Sequence, residues 1–124
     1  MSQDIISDGL NAIMNAKRAG ESTLTLEHHS KLLISILALA KLKGYVKDYK
    51  IDGRKVSITL GKLNLCKALK PRYTVDISSF SKYEKRYLPA RNFGIIIVST
   101  SKGLMTHQTA IEKNLGGSLI AYMY

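Results

Sequence analysis

The feature that most constrains the fold is a short apolar run that ends abruptly in hydroxyl side chains. Four consecutive apolar residues, Ile95 to Val98, are followed directly by Ser99, Thr100, Ser101, Lys102 and Gly103. An uninterrupted β-branched run of this length predicts a strand that is buried on both faces. We expect the hydroxyls to lie where this strand ends and a helix to begin shortly afterwards. Hydroxyls that donate and accept hydrogen bonds beside a lysine suit an anionic partner such as a phosphate backbone.

Charge and composition narrow the class of partner. The chain has 124 residues, and its 19 lysines and arginines against 9 acidic residues give a net charge of +10. So large an excess on a small protein indicates nucleic acid or an anionic membrane as the partner. No apolar run approaches the length of a membrane span, and the start of the chain lacks a signal pattern. The single cysteine, Cys66, fits a reducing compartment. We therefore expect a soluble, cytoplasmic protein with no membrane partner.

The basic residues are concentrated in the second half of the chain. Residues 1–62 hold 10 basic and 6 acidic side chains, and residues 63–124 hold 9 and 3. One stretch is especially basic and has tyrosines between its cations; the basic residues are Lys67, Lys70, Arg72, Lys82, Lys85, Arg86 and Arg91, and the tyrosines are Tyr73, Tyr83 and Tyr87. A stretch of this kind can be a solvated loop. With the whole chain so basic, we interpret it as a contact surface.

The first half of the chain predicts an α-β-α-β-β order. Asp4 is a candidate cap for a first helix that ends near Gly20, and residues 22–26 predict a short strand. Ser30 is the candidate N-cap of a second helix, residues 31–43. A hairpin follows, with strands at 45–51 and 55–60 and a turn at Asp52-Gly53.

The second half predicts mostly strands and one helix. Strands are expected at 73–77, 95–98 and 118–122, with an irregular basic stretch from 78 to Pro89. A helix is expected from about Thr106, a plausible N-cap, to Asn114. The whole pattern predicts a mixed α/β (α+β) protein of two small lobes, an N-terminal α/β lobe over 1–62 and a C-terminal β-rich lobe over 63–124.

The sequence does not support an enzyme. Ser101, His107 and Glu112 could be imagined as a catalytic trio, but the segment lacks a Gly-x-Ser-x-Gly elbow. No phosphate-binding loop of the Gly-x-x-x-x-Gly-Lys-Ser/Thr type is present. His28, His29 and His107 lack the spacing of metal ligands, so we expect them to be surface histidines near helix starts. We predict no metal, no cofactor and no small-molecule substrate.

Recognition of structured RNA fits the hydroxyl-rich segment best. It relies on phosphate and 2′-hydroxyl contacts across a shallow minor groove, which short hydroxyl side chains, backbone N–H groups and a few cations can make. Gly103 would let the backbone turn and approach a ligand closely. The helix that begins near Thr106 would add its N-terminal dipole if it faced the RNA.

These residues carry a resemblance to a known family. The run from Leu88-Pro89-Ala90-Arg91 through Phe93-Gly94 to Ser99-Thr100-Ser101-Lys102-Gly103-Leu104-Met105-Thr106-His107 resembles the small-subunit ribosomal protein S8 family. The pair Gly116-Gly117 and the closing residues 121–124 are similar to it as well. The sequence Ser99-Thr100-Ser101 resembles the archaeal form of the family. A few positions depart from the residues usual in the family: Ile5, Met14, His28, His29 and Ser118.

The resemblance implies a structural constituent of the small ribosomal subunit that binds the central domain of the small-subunit rRNA and supports its folding and assembly. It implies RNA contacts at Ser99, Thr100, Ser101, Lys102, Gly103 and Gly117 in the second lobe, and around Asp4, Asn15, Ser30 and Lys31 in the first. Neighbouring small-subunit ribosomal proteins would be further partners. Two alternatives stay open: a free-standing RNA-binding regulator that acts on a structured mRNA, and a general adaptor for anionic surfaces.

For several of these residues a purely structural role is the alternative. Ser99 and Asn15 could bond within their own lobes, since short polar side chains often hydrogen-bond locally. Asp4 fits a helix cap better than a phosphate contact. Gly116 and Gly117 could serve as turn glycines.

Overall fold

The computed structural model describes residues 5–69, 74–90 and 93–124. The chain divides into two compact units, Met1–Cys66 and Lys67–Tyr124. The sequence placed a lobe boundary between 62 and 63, and that assignment of folding domains stays a prediction. The predicted cap Asp4 lies outside the described residues, as do Tyr73 and three cations of the basic stretch, Lys70, Arg72 and Arg91.

The N-terminal unit has the predicted α-β-α-β-β order. Its elements are α1 (Ile5–Arg18), β1 (Thr23–Leu26), α2 (Lys31–Leu42), β2 (Val46–Asp52) and β3 (Lys55–Leu60). The three strands form an antiparallel sheet in the order β1-β3-β2. The predicted hairpin is present, but its turn is one residue later than expected, because Asp52 still pairs with Lys55.

Apolar periodicity explains this unit. In β3, Val56 and Ile58 are buried while Lys55 and Ser57 are exposed, as the alternation predicts. Each helix buries one apolar stripe. The buried stripe residues are Ile6, Leu10, Ile13 and Met14 in α1, and Leu33, Ile36, Leu37 and Ala40 in α2. The predicted cap of α2 is confirmed, since the Ser30 side chain accepts a hydrogen bond from the Leu33 N–H at 3.2 Å.

The C-terminal unit contains a second antiparallel sheet. Strand β4 (Cys66–Ala68) begins at the last residue of the N-terminal unit. The elements that follow are β5 (Thr74–Val75), a 3₁₀ turn (Ile77–Ser79), α3 (Phe80–Tyr87), β6 (Ile95–Thr100), β7 (Gly103–Thr106), α4 (His107–Glu112) and β8 (Gly117–Met123). The strand order is β4-β8-β6-β7, and β5 also pairs with β8. The mixed α+β class is therefore confirmed.

Two local features of this unit differ from the sequence analysis. The helix expected near Thr106 is present as α4, but the chain first reverses after β6 and returns as β7, a strand that the sequence did not predict. The stretch before Pro89, expected to be irregular, forms α3. Its apolar and aromatic residues Phe80, Tyr83 and Tyr87 have helical spacing, but the basic residues between them hid the pattern.

The predicted two-sided burial of β6 is confirmed, because Ile95, Ile96, Ile97 and Val98 are each at most 2% exposed. Ile96 and Val98 belong to a core cluster within this unit; its other buried members are Leu69, Val75, Phe80, Leu88, Met105, Ala110 and Leu119. In the part of the chain that the structure describes, no helix is long and apolar enough to cross a membrane.

Candidate nucleic-acid interface

The hydroxyl-rich segment forms the end of the β6–β7 hairpin. Thr100 pairs with Gly103, and Ser101 and Lys102 connect the strands. These two connecting residues and Gly103 are exposed. The φ angle of Gly103 is +114°, a conformation that side chains with a Cβ rarely adopt, so glycine is required for this reversal. The hairpin therefore presents a hydroxyl, a cation and bare backbone to solvent.

The Thr100 hydroxyl is already used inside the turn. It donates to the Gly103 carbonyl at 2.8 Å and accepts from the Lys102 N–H at 3.1 Å. These bonds close the hairpin on itself, as local hydroxyl-to-backbone bonds do in many turns. Of the three consecutive hydroxyls, Thr100 is thus the one whose hydrogen bonds the structure assigns to the fold.

Ser99 and Thr100 point to opposite faces of the sheet, because successive side chains alternate along a strand. Thr100 shares its face with the core cluster, and its hydroxyl lies 4.0 Å from Met105 Sδ. Ser99 lies on the other face, directly opposite Ser118 of β8. Both serines are half-buried. The register therefore places a second hydroxyl, Ser118, beside Ser99.

The sequence did not reveal that Ser118 lies beside the hydroxyl-rich segment. In the sequence, Ser118 is only a departure from the residues usual in the family. The available signal was the pairing of two apolar runs, 95–98 and 119–121, which in antiparallel register brings the polar residues at their ends together.

Gly117 lies against the backbone of β6. A Cβ at this position would collide with the Ser99 carbonyl oxygen and lie 3.0 Å from Val98 Cγ1. Gly117 also pairs with Val75 of β5. Its primary role is therefore to let three strands approach closely.

The start of α4 is buried. Thr106 caps the helix as predicted, accepting from the Thr109 N–H at 3.3 Å, but Thr106 is 2% exposed and His107 is fully buried. One expectation was wrong for this reason, because His107 is not a surface histidine. The buried start of α4 also gives no support to a contact between the helix dipole and a ligand.

His107 connects three elements of the C-terminal unit. Its Nδ1 accepts from the Ile96 N–H at 3.1 Å, so Nε2 carries the proton of the neutral ring. That Nε2 donates to Glu84 Oε2 of α3 at 2.7 Å. Both ring nitrogens are therefore occupied, and the imagined trio with Ser101 and Glu112 is not formed.

The N-terminal candidates are surface residues at separate places on two helices. Asn15 is exposed on the second half of α1, and Lys31 is the exposed first residue of α2. The Ser30 oxygen accepts from Leu33 N–H as the cap, which leaves its O–H able to donate to another group.

The remaining titratable candidates show no cluster of metal ligands. His28 is exposed, and half-buried His29 donates from Nε2 to the Gly53 carbonyl at 3.0 Å. Cys66 is buried as expected, its thiol faces the Leu10 carbonyl at 3.5 Å, and burial raises the pKa of that thiol to about 12. Across residues 5–69, 74–90 and 93–124, no group of three or more His, Cys, Asp or Glu side chains is arranged to hold a metal ion.

Comparison with known proteins gives the family. The family model described as "Ribosomal protein S8" matches residues 4–124. The chain is 43% identical to "Small ribosomal subunit protein uS8" of Nanoarchaeum equitans and 42% identical to the protein of that name in Archaeoglobus fulgidus, over the full length of each chain. It is 37% identical to the Methanococcoides burtonii protein, with 98% of this chain and 97% of the other aligned. These relatives are archaeal, in agreement with the Ser99-Thr100-Ser101 sequence, and each is named as a small ribosomal subunit protein. A family named for a ribosomal protein supports the expectation that the chain is not an enzyme. The chain belongs to the ribosomal protein S8 family.

Proposed function

We propose that the protein is a structural constituent of the small ribosomal subunit in the cytoplasm. In this proposal it binds the central domain of the small-subunit rRNA, supports the folding and assembly of that domain, and lies beside neighbouring small-subunit ribosomal proteins. The full-length similarity to proteins named for the small subunit supports the assignment. The observation that carries the RNA-binding part is the exposed hairpin end, where Ser101, Lys102 and Gly103 project away from the core.

The chemistry of this end suits the minor groove of an RNA helix. Ser101, Ser99 and Ser118 can each donate to and accept from 2′-hydroxyls and base edges, which a shallow groove displays. Lys102 supplies a cation for a phosphate. Gly103 has no side chain to hold the RNA away, and half-buried Gly117 would contact the RNA through its backbone. Thr100 contributes indirectly, because its two turn bonds fix the positions of Ser101 and Lys102.

The N-terminal unit supplies the remaining proposed contacts. Lys31 would bind a phosphate, and Ser30 would donate its O–H while its oxygen caps α2. Asn15 would contact RNA through its exposed amide. Phosphate contacts of this kind position the protein on the RNA without reading its sequence.

Binding to an isolated rRNA fragment tests the proposal. A central-domain fragment and a scrambled duplex of equal length are titrated with the protein over a series of salt concentrations. We expect tighter binding to the native fragment and a steep loss of affinity with salt, because phosphate contacts release counterions. Equal affinity for both RNAs would contradict selective binding of the rRNA.

The alternative of a free-standing regulator differs in where the protein is found. A hairpin end that recognises RNA shape would also bind an mRNA that folds into a similar structure. Co-sedimentation with small subunits after a high-salt wash separates the two functions. The subunit constituent stays in that fraction, whereas a regulator is recovered in the free pool.

A further inference from the structure

A second cationic surface of the C-terminal unit lies on α3, on the part of the basic, tyrosine-rich stretch that the structure describes. Lys82, Lys85 and Arg86 of this helix are exposed. Its single acidic residue, Glu84, is half-buried and bonded to His107. The outward side of α3 is therefore positively charged, with its one carboxylate held inward.

Two of these cations lie over tyrosine rings. Lys82 Nζ is 5.7 Å from the ring centroid of Tyr83, and Arg86 Cζ is 5.4 Å from that of Tyr87. At these distances the ring quadrupole attracts the cation. Lys82 and Arg86 are four residues apart, so they lie on the same side of the helix, about 6 Å apart along its axis.

The rings beneath the cations belong to a stacked series that fixes α3 to the sheet. Tyr83 and Tyr87 stack at 6.2 Å between centroids, and Tyr87 stacks on Tyr122 of β8 at 5.0 Å. The Glu84–His107 hydrogen bond attaches the same helix to α4. The two cations are thus carried by a helix held from two directions, which reduces the entropy lost when they bind a partner.

Helix stability explains only part of this charge pattern. Cations in the last turn of a helix are stabilised by the macrodipole, which accounts for Lys85 and Arg86. Lys82 stands in the first turn, where the dipole disfavours a cation and where α3 has no acidic residue. Its placement is better explained by a partner outside the helix.

We propose that the outward side of α3 is a second RNA-binding surface, on which Lys82 and Arg86 each bind a backbone phosphate of the rRNA. This inference rests on the proposed function and adds a surface separate in sequence from the hairpin end. Phosphate is the partner that fits, because the surface is positively charged and its cations lie one helical turn apart on one side. Such contacts position the protein and carry no base specificity.

The test measures RNA affinity against salt for three proteins. These are the full-length wild type, the double variant Lys82→Gln/Arg86→Gln, and Lys85→Gln as a matched control. Lys85→Gln removes a positive charge from the same helix without touching either ring-bound cation. Filter binding to the central-domain fragment gives the slope of log Kobs against log salt, and thermal unfolding checks that each variant is folded.

The expected result is a slope that is shallower by about 0.7 to 0.9 for each phosphate that the variant no longer neutralises, hence by about 1.4 to 1.8 for the double variant. Lys85→Gln should keep the wild-type slope. An unchanged slope in the double variant, or an equal change in Lys85→Gln, would overturn the inference even if the wild type binds the fragment selectively. A wild type that does not prefer the fragment over the scrambled duplex would instead overturn the proposed function on which the inference rests.

Discussion

His107 Nε2 and Glu84 Oε2 lie 2.7 Å apart, and this hydrogen bond joins α4 to α3 around a histidine with no solvent exposure. The other ring nitrogen accepts the backbone N–H of Ile96 in the central strand β6. One side chain therefore satisfies a buried donor of the sheet and orients the helix that carries the second cationic surface. A histidine six residues after a serine suggested catalysis, but its place in the fold is structural.

We expect His107→Ala to lower the free energy of unfolding by about 3 kcal/mol or more. The change leaves the Ile96 N–H without an acceptor, which costs roughly 1–3 kcal/mol, and it opens a cavity in the core. Urea denaturation measures the loss. In the control Glu84→Gln, the amide oxygen can still accept from Nε2, so the loss should be about 1 kcal/mol or less. Similar losses in the two variants would contradict this assignment.

Substitutions at Thr100 and Ser101 should affect different properties: the first should lower stability and the second should weaken RNA binding. Thr100→Val keeps the shape of the side chain but removes both turn bonds, and we expect it to cost about 1–2 kcal/mol of stability. Ser101→Ala changes an exposed residue, so stability should stay within about 0.5 kcal/mol of wild type. If the Ser101 hydroxyl contacts RNA, its loss should weaken binding by roughly 1–3 kcal/mol. Chemical denaturation measures the stability of each variant, and binding to the rRNA fragment measures its affinity on the same preparations. A Ser101→Ala variant that is clearly less stable than wild type would contradict the expectation that this residue affects binding alone.

Gly117→Ala should destabilise the C-terminal unit. The added methyl group would collide with the Ser99 carbonyl oxygen, and backbone in the centre of a sheet cannot move away cheaply. We expect a loss of about 2 kcal/mol or more in thermal unfolding. Ser118→Ala, at the next position of the same strand, removes atoms instead of adding them and should cost much less. Equal melting temperatures for wild type and Gly117→Ala would show that the strands can separate to accept a side chain.

Cys66 should be unreactive in the folded protein and should make stability fall at high pH. Burial raises the pKa of its thiol from 9.0 to about 12. The unfolded chain therefore releases this proton at a lower pH than the folded protein, so the contribution of Cys66 is complete below about pH 9 and is lost as pH rises towards 12. Thiol labelling at about pH 8 is unambiguous because the chain has one cysteine, and it should be slow until denaturant is added.

A Cys66→Ala variant provides the control for the pH dependence. Without the thiol, the free energy of unfolding should decline less steeply between about pH 9 and 11 than in wild type. Parallel curves for the two proteins, or fast labelling under native conditions, would show that the thiol is accessible to solvent.

The sequence by itself determined the helices, strands and caps that depend on the spacing of residues close together in the chain. The alternation of Val56 and Ile58, the stripes of α1 and α2, the Ser30 and Thr106 caps and the buried run Ile95–Val98 all follow from spacing along the chain. The family was also visible in the sequence, because its signature residues are contiguous. The hairpin residues Ser101, Lys102 and Gly103 belong to that signature, and the structure places them at an exposed turn.

The tertiary structure alone determined which residues from distant parts of the chain contact one another. Strand pairing placed Ser118 beside Ser99 and put Gly117 against the β6 backbone. Packing buried His107, stacked Tyr87 on both Tyr83 and Tyr122, and left Lys82 and Arg86 over the Tyr83 and Tyr87 rings. These relationships join residues far apart in the chain, and their energies depend on distance and on exclusion of water. A linear pattern contains neither quantity, so only the folded backbone could show that the fold uses the Thr100 hydroxyl while Ser101 is exposed.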